Sequence, residues 1–448
     1  MANNPLLQDP IPSLVIRKGW AMFIGIFGII LFTLVDTWFI SLLGTEPLAA
    51  MSFAIPITFM VSSLAMGMGM GMSAVVGRLL GANQQQQARD FTSQGLLLSV
   101  VAVIALATLG FATIEPLFSR LGADQQVMPH IRAYMQVWYL GIPFLVIPMV
   151  GNAAIRASGD VATPSKVMLL SAVLNGVMDP IFIFGFGLGI QGAAIATALS
   201  WMLTFVAASW MLHFRLRMIA WHWPGIKPLL RNWGKLLSIG LPAALTQMLN
   251  PLASSLVVAM LASGSLVAVA AYGIGVRVEA LLLISAMSLS SIIPTVFGQN
   301  YGAKFYQRAS DSITFSVKLL LLVQLGLYLV ILPLAPLIAS WFSKEPEIQA
   351  LAVLYLRLVP LSYGLQGLSM MVSSLLNSLH RPMMATWFNL LRLFAVLIPA
   401  AWLGNRLAGP EGVFWAIMLS QLLFGGLMLA YMQRLLRQIR AMQGSVSQ

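Results

Sequence analysis

The chain has 448 residues, 59% of them hydrophobic and only 8% charged, with a net charge of +12 and no cysteine. A soluble globular chain carries about 25% charged residues, so a water-facing surface over most of this molecule is excluded, and disulfides, thiol chemistry and thiolate metal sites go with the cysteines. The apolar residues come in runs about as long as a hydrocarbon core of roughly 30 Å requires. They lack the alternation of β-barrel strands, so the fold class is all-α integral membrane.

In chain order the runs predict twelve transmembrane helices at about 16–43, 48–76, 92–114, 128–153, 167–187, 190–213, 236–262, 267–297, 312–340, 350–376, 383–403 and 411–433. The basic residues lie mainly in one set of alternate segments, from Arg17, Lys18, Arg78 and Arg89 to Arg434, Arg437 and Arg440, against Arg120, Lys344 and Arg406 on the other side. They set topology rather than bind nucleic acid, and they place both termini in the cytoplasm of a cell inner membrane. The most hydrophilic stretch predicts three regions: an N-terminal six-helix lobe over 1–213, an amphipathic cytoplasmic linker over 214–235, and a C-terminal six-helix lobe over 236–448. The linker is expected to lie along the membrane surface, with Trp221 and Trp223 near the headgroups.

The two halves repeat. Gly77, Gly81, Ala82, Ala88 and Asp90 recur as Gly298, Gly302, Ala303, Ala309 and Asp311, a constant shift of 221 (298 − 77), and Ala49 and Ala50 recur as Ala270 and Ala271. Gly192, Ala196, Leu199 and Ser200 recur as Gly412, Ala416, Leu419 and Ser420 at a shift of 220 (412 − 192). An even number of spans separates the copies, so the two bundles are expected to be related by a pseudo-two-fold along the membrane normal, as in transporters that rock about a central site.

A carboxylate at mid-bilayer costs about 2.5–3.5 kcal/mol on insertion scales. Of the thirteen acids, Asp36, Asp179 and Glu279 fall well inside spans. Asn175 and Asp179 lie four apart on the fifth span and share a helix face. Thr197 on the sixth span offers a hydroxyl, and Tyr139 on the fourth a phenol. Carboxylic acids withdrawn from water hold their protons more tightly, and more so beside a second acid, so such a pair suits proton exchange. The same oxygens suit Na⁺, a hard cation that takes carboxylate, amide and hydroxyl ligands. Asp36, Asn175, Asp179 and Thr197 are therefore the candidate Na⁺ ligands.

Arg277 and Glu279, two apart on the eighth span, do not face each other. With Arg392 on the eleventh span, which is a candidate partner for Glu279, they are assigned a gating or cavity role. Met66, Met68 and Met70 alternate with glycine, and flexible, polarizable methionine can adapt to many ligand shapes. The competing reading is close helix packing through the glycines.

Several segments together resemble the multidrug and toxic compound extrusion (MATE) family. They are Val35-Asp36-Thr37 with Leu43-Gly44, the loop from Gly77 to Ala82, Leu174-Asn175 through Asp179-Pro180, Gly192 to Thr197, Gly240-Leu241-Pro242, and Gly298 to Ala303. Acids concentrated in the first half resemble its DinF-like branch. The resemblance implies a cation site of Asp36, Asn175, Asp179 and Thr197 with Tyr139 beside it. It also implies antiport of amphiphilic or cationic compounds against H⁺ or Na⁺, with no other cofactor, by a chain expected to act as a monomer in the bilayer. That branch commonly carries a proline about fifteen residues before the first acid; here the position is Ala21, which removes the cheap site for a kink. The alternative within the superfamily is a lipid-linked oligosaccharide flippase, which would need more central cations than Arg277 and Arg392. Four histidines and no acid cluster with metal-ligand spacing give an enzyme little to work with.

Overall fold

The computed structural model describes residues 4–222, 225–262 and 264–446, so Trp223 lies outside the described residues. All regular structure among them is helical. Ten helices are long and apolar enough to cross a membrane, and the pair Leu266–Leu282 and Ile284–Gly302, bent by 43°, makes an eleventh span. Pro382–Met442 holds two spans rather than one, because Ala408 and Gly409 leave helical geometry just ahead of Pro410, Gly409 with φ +58°. Glycine is the residue that tolerates that backbone. With that kink counted as a break, the described residues hold twelve spans.

Two helices matter below, the second of them because it departs from expectation. The first span is an α-helix over Ile11–Ser41 with no break at Ala21, as the lack of proline there dictates. The seventh begins at Ile226 and runs to Ala262, so residues 226–235, expected to lie flat as a separate linker, are instead continuous with the span. Lys227, Arg231 and Lys235 recur every four residues, a helical spacing whatever its polarity.

The contacts divide the chain into two compact units, Ile24–Ala244, and Met1–Phe23 with Leu245–Gln448. Their edges fall inside the first and seventh helices rather than at the expected 213 and 236.

In the Ile24–Ala244 unit the second span, Thr45–Gly81, packs against the start of the seventh through its glycines. A Cβ on Gly67 would overlap the Gly240 carbonyl and stand 2.7 Å from Ala244, and one on Gly71 would stand 2.9 Å from the Leu236 carbonyl. The intervening Met68 and Met72 are buried in a core with Phe91, Val150 and Leu236. The Met-Gly run therefore packs helices. Met68, expected to line a cavity, is a core residue, while Met66 and Met70 are half-buried.

In the other unit the N-terminal segment is bolted to the eighth and ninth spans. Leu6 and Leu14 pack on Val296, Asn4 donates to Gln299 at 2.8 Å, Asn300 donates to the Leu6 carbonyl at 3.1 Å, and Arg308 donates to the Asp9 carbonyl at 2.7 Å. At the bend of the eighth span, Gln324 donates to the Leu282 carbonyl and to Ser285, both at 3.0 Å, which satisfies backbone that the break exposes. The tenth span is likewise interrupted, by a 3₁₀ turn over Val359–Ser362.

Forcing a branched side chain into the Gly67 contact should cost about 1–3 kcal/mol. Gly67→Val is therefore expected to lower the thermal midpoint of the detergent-solubilised protein by fluorescence-detected size exclusion. Gly234→Ala, where an added Cβ meets nothing within 4 Å, should leave it unchanged.

Candidate functional site: a buried carboxylate pair

Glycine sets the approach of the first and fifth spans. A Cβ on Gly25 would meet Ser165 at 3.0 Å, one on Gly28 would meet the Leu169 backbone at 3.1 Å, and one on Gly176 would meet Val35 at 3.4 Å. The paired positions differ by 140 (165 − 25), 141 (169 − 28) and 141 (176 − 35), the constant offset of two parallel helices. On that register Asp36 falls beside the turn of the fifth span that ends in Asp179. The helix Ala162–Pro180 stops there and a π-turn follows over Ile181–Gly185. Pro180 has no N–H to give the Gly176 carbonyl, so the backbone is loosened at the carboxylate.

The sixth span, Gly189–Trp210, joins from the other side. A Cβ on Gly192 would stand 2.6 Å from the Phe182 carbonyl, and Ser171 donates to the Ser200 carbonyl at 2.6 Å. Between these two clasps Asn175 donates to Asp179 at 3.2 Å and to Thr197 at 3.4 Å.

Asp36, Asn175, Asp179 and Thr197 are all buried, Asn175 and Asp179 completely, and Asp36 lies in the field of Asp179. Three of their oxygens, Asp36 Oδ1, Asn175 Oδ1 and Asp179 Oδ2, have no hydrogen-bond partner among the described residues. A buried polar atom left so costs about 1–3 kcal/mol. What all three lack is positive charge or a donor. A proton on one carboxyl would supply a donor to a neighbouring oxygen, and Na⁺ would take the free oxygens with the Thr197 hydroxyl as ligands, so the donor set fits either cargo.

Tyr139 is buried, but its ring packs over Gly110 and against Phe111 and Trp138. The fourth-span phenol in the field of both carboxylates is that of Tyr134, also buried. Five residues apart on an α-helix, the two rings leave it about 140° apart. The sequence alone offers two tyrosines and no phase by which to choose between them.

The other unit holds the remaining charged candidates. Glu279 accepts from Tyr355 at 3.1 Å, Tyr363 at 3.5 Å and Gln366 at 2.9 Å, partners 76 to 87 residues away that sequence reasoning missed. Tyr355 precedes the interruption of the tenth span and the other two follow it, so one carboxylate ties the two halves together. Arg392 feels the Glu279 charge but donates to Asn250 at 2.9 Å, and the direct ion pair considered for them is not made. Arg277 is exposed.

Twelve apolar helices in two units, with paired acids sealed inside one of them, are the build of a membrane transporter. The MatE family model matches residues 21–181 and 242–403, and the chain belongs to the multidrug and toxic compound extrusion family. The two matches start 221 residues apart (242 − 21), the offset of the internal repeat. The chain is 40% identical over 440 residues, 97% of each sequence, to a protein of Shewanella oneidensis named FAD transporter. It is 25% identical over 404 residues, 89% of this chain and 88% of the other, to the multidrug export protein MepA of Staphylococcus haemolyticus. The crystal structure of the Vibrio cholerae MATE transporter VcmN in the bent form superposes with a TM-score of 0.91 at 30% identity, covering 96% of this chain and 98% of that one.

Glu279→Ala strands two tyrosine hydroxyls and an amide, at about 1–3 kcal/mol for each group left buried. It is expected to lower the thermal midpoint clearly, and Glu279→Gln, which keeps an acceptor, to lower it less. A wild-type midpoint in Glu279→Ala would show that the tie carries no stability.

Proposed function

We propose that the chain is a secondary exporter of amphiphilic or cationic organic compounds, driven by exchange with H⁺ or Na⁺ at Asp36, Asn175, Asp179 and Thr197. The observation that carries the reading is the set of three buried oxygens without partners, on two acids and an amide gathered from two spans. Such a cluster favours a bound cation when closed to water, and releases it when hydration makes the free carboxylate affordable again. The driving force is adequate: one charge moving down 100 mV yields about 2.3 kcal/mol, and one unit of pH gradient about 1.4 kcal/mol. Tyr134 joins this site in our reading, and Tyr139 supports it by packing. The chain works as a monomer of the inner membrane with both termini in the cytoplasm, as its basic residues favour, and 1–213 and 236–448 act as its two lobes.

A second reading concerns cargo. The 40% identical relative is named for FAD, and so extensive a likeness favours a flavin dinucleotide as a substrate beside or in place of drugs. The flippase alternative has less support, since Arg392, one of its two candidate cations, is engaged by Asn250.

Everted membrane vesicles test both. Transport of ethidium and of FAD is followed under a pH gradient and, separately, a Na⁺ gradient. Asp36→Asn and Asp179→Asn keep side-chain shape but cannot carry the ion, and each is expected to reduce driven transport about tenfold or more. The gradient that drives the wild type identifies the ion, and the compound that moves identifies the cargo. Wild-type rates in both variants under either gradient would remove the acid pair from the mechanism.

A further inference from the structure

We infer that the cleft between the start of the eleventh span and the last helix binds a phosphodiester, the headgroup of an anionic phospholipid. The cleft is a cavity of about 280 Å³ lined by Arg381, Met384, Tyr431, Arg434, Leu435 and Gln438. Four of these stand at i, i + 3, i + 4 and i + 7 on the last helix and so share one face. Arg381 comes from the turn before Pro382, where its own N–H donates to the Leu376 carbonyl at 2.8 Å, fixing the backbone from which the guanidinium reaches. The Tyr431 ring is held edge-on by Phe388, centroids 5.1 Å apart.

The charge balance here differs from that at several other arginines of the basic side. Arg17 pairs with Asp9 at 2.7 Å, Arg308 donates to the Asp9 carbonyl at 2.7 Å, Arg440 donates to Ser310 at 2.7 Å and pairs with Asp311, and Arg89 donates to the Ile219 carbonyl at 2.8 Å. The guanidinium groups of Arg381 and Arg434 have no such partner among the described residues, and no acid lines the cavity they share. Two uncompensated cations around one cavity repel each other until an anion sits between them. Planar, forked guanidinium is the side chain best matched to phosphate oxygens.

Two further residues favour a lipid over a soluble phosphate. One turn along each helix from the cavity stand Trp387, three after Met384, and Leu427, four before Tyr431, both large, apolar and more than half exposed. They continue the cleft as an apolar track that acyl chains can follow. Basic pockets at the cytoplasmic ends of membrane helices are suited to such headgroups.

The test uses the full-length protein in detergent micelles, with native mass spectrometry counting retained phosphatidylglycerol against phosphatidylcholine. Arg381→Gln/Arg434→Gln is compared with Arg437→Gln, an exposed arginine outside the cavity, and the thermal midpoint of each confirms folding. Wild type and Arg437→Gln are expected to retain phosphatidylglycerol preferentially, and the double variant at least fivefold less. In a second arm, inorganic pyrophosphate or FAD is added. Displacement of the lipid by either, lost in the double variant, would keep the phosphate site and make its source soluble. Equal retention by the double variant and Arg437→Gln, or no preference in the wild type, would overturn the site. Efflux is not among the readouts, so this result and that for the acid pair fail or stand separately.

Discussion

A carboxylate shut inside a helix bundle has few stable options. It takes hydrogen bonds, meets a cation, or keeps its proton. In the Ile24–Ala244 unit Asn175 offers its amide hydrogens to Asp179 and Thr197, and after that the local donors are exhausted while three oxygens remain bare. Glu279, in the other unit, meets the opposite treatment: two phenols and an amide converge on it. The same functional group is thus left needing a cation in one place and surrounded by donors in another. That contrast is what the proposed exchange role of the first pair rests on, and it sets Glu279 apart as a tie between helices.

The bare oxygens depend in turn on backbone proximity. Gly25 and Gly28 let the first and fifth spans run in parallel register close enough that a methyl group would have to displace its neighbour. Gly192 does the same for the sixth span against the π-turn after Asp179. In hydrocarbon there is little apolar driving force for helices to associate, and close contact through small residues replaces it. The Met-Gly run of the second span follows the same rule, with the glycines forming the contact and Met68 filling the core behind it.

Much of this was legible in the sequence, and the rest was hidden for identifiable reasons. Apolar runs of bilayer length and a repeat at constant offset define twelve spans, because insertion constrains composition residue by residue. Asp36 and Asp179 stand out because acids inside spans are so few. What stayed hidden depends on phase and on long-range partners. Nothing in the sequence says that Tyr134 rather than Tyr139 turns toward the acids, or that Glu279 meets Tyr355 and Gln366 from the tenth span rather than Arg392. The polar segment before the seventh span read as a surface linker because its lysines and arginines outweighed their helical spacing. The edges of the compact units lie within helices, where no change of composition marks them.

The substitution of alanine for the expected proline at position 21 has a mechanical consequence. An α-helix of 31 residues is about 46 Å long, and without an interruption it resists bending along its whole length. Its leading end is clamped through Leu14 and the Asp9 carbonyl, and Asp36 stands near its trailing end. Such a rod behaves as a stiff lever with a fixed fulcrum. Under the proposed exchange, a shift at Asp36 would be delivered to the clamped leading end as torque, instead of being absorbed by a soft joint on the way.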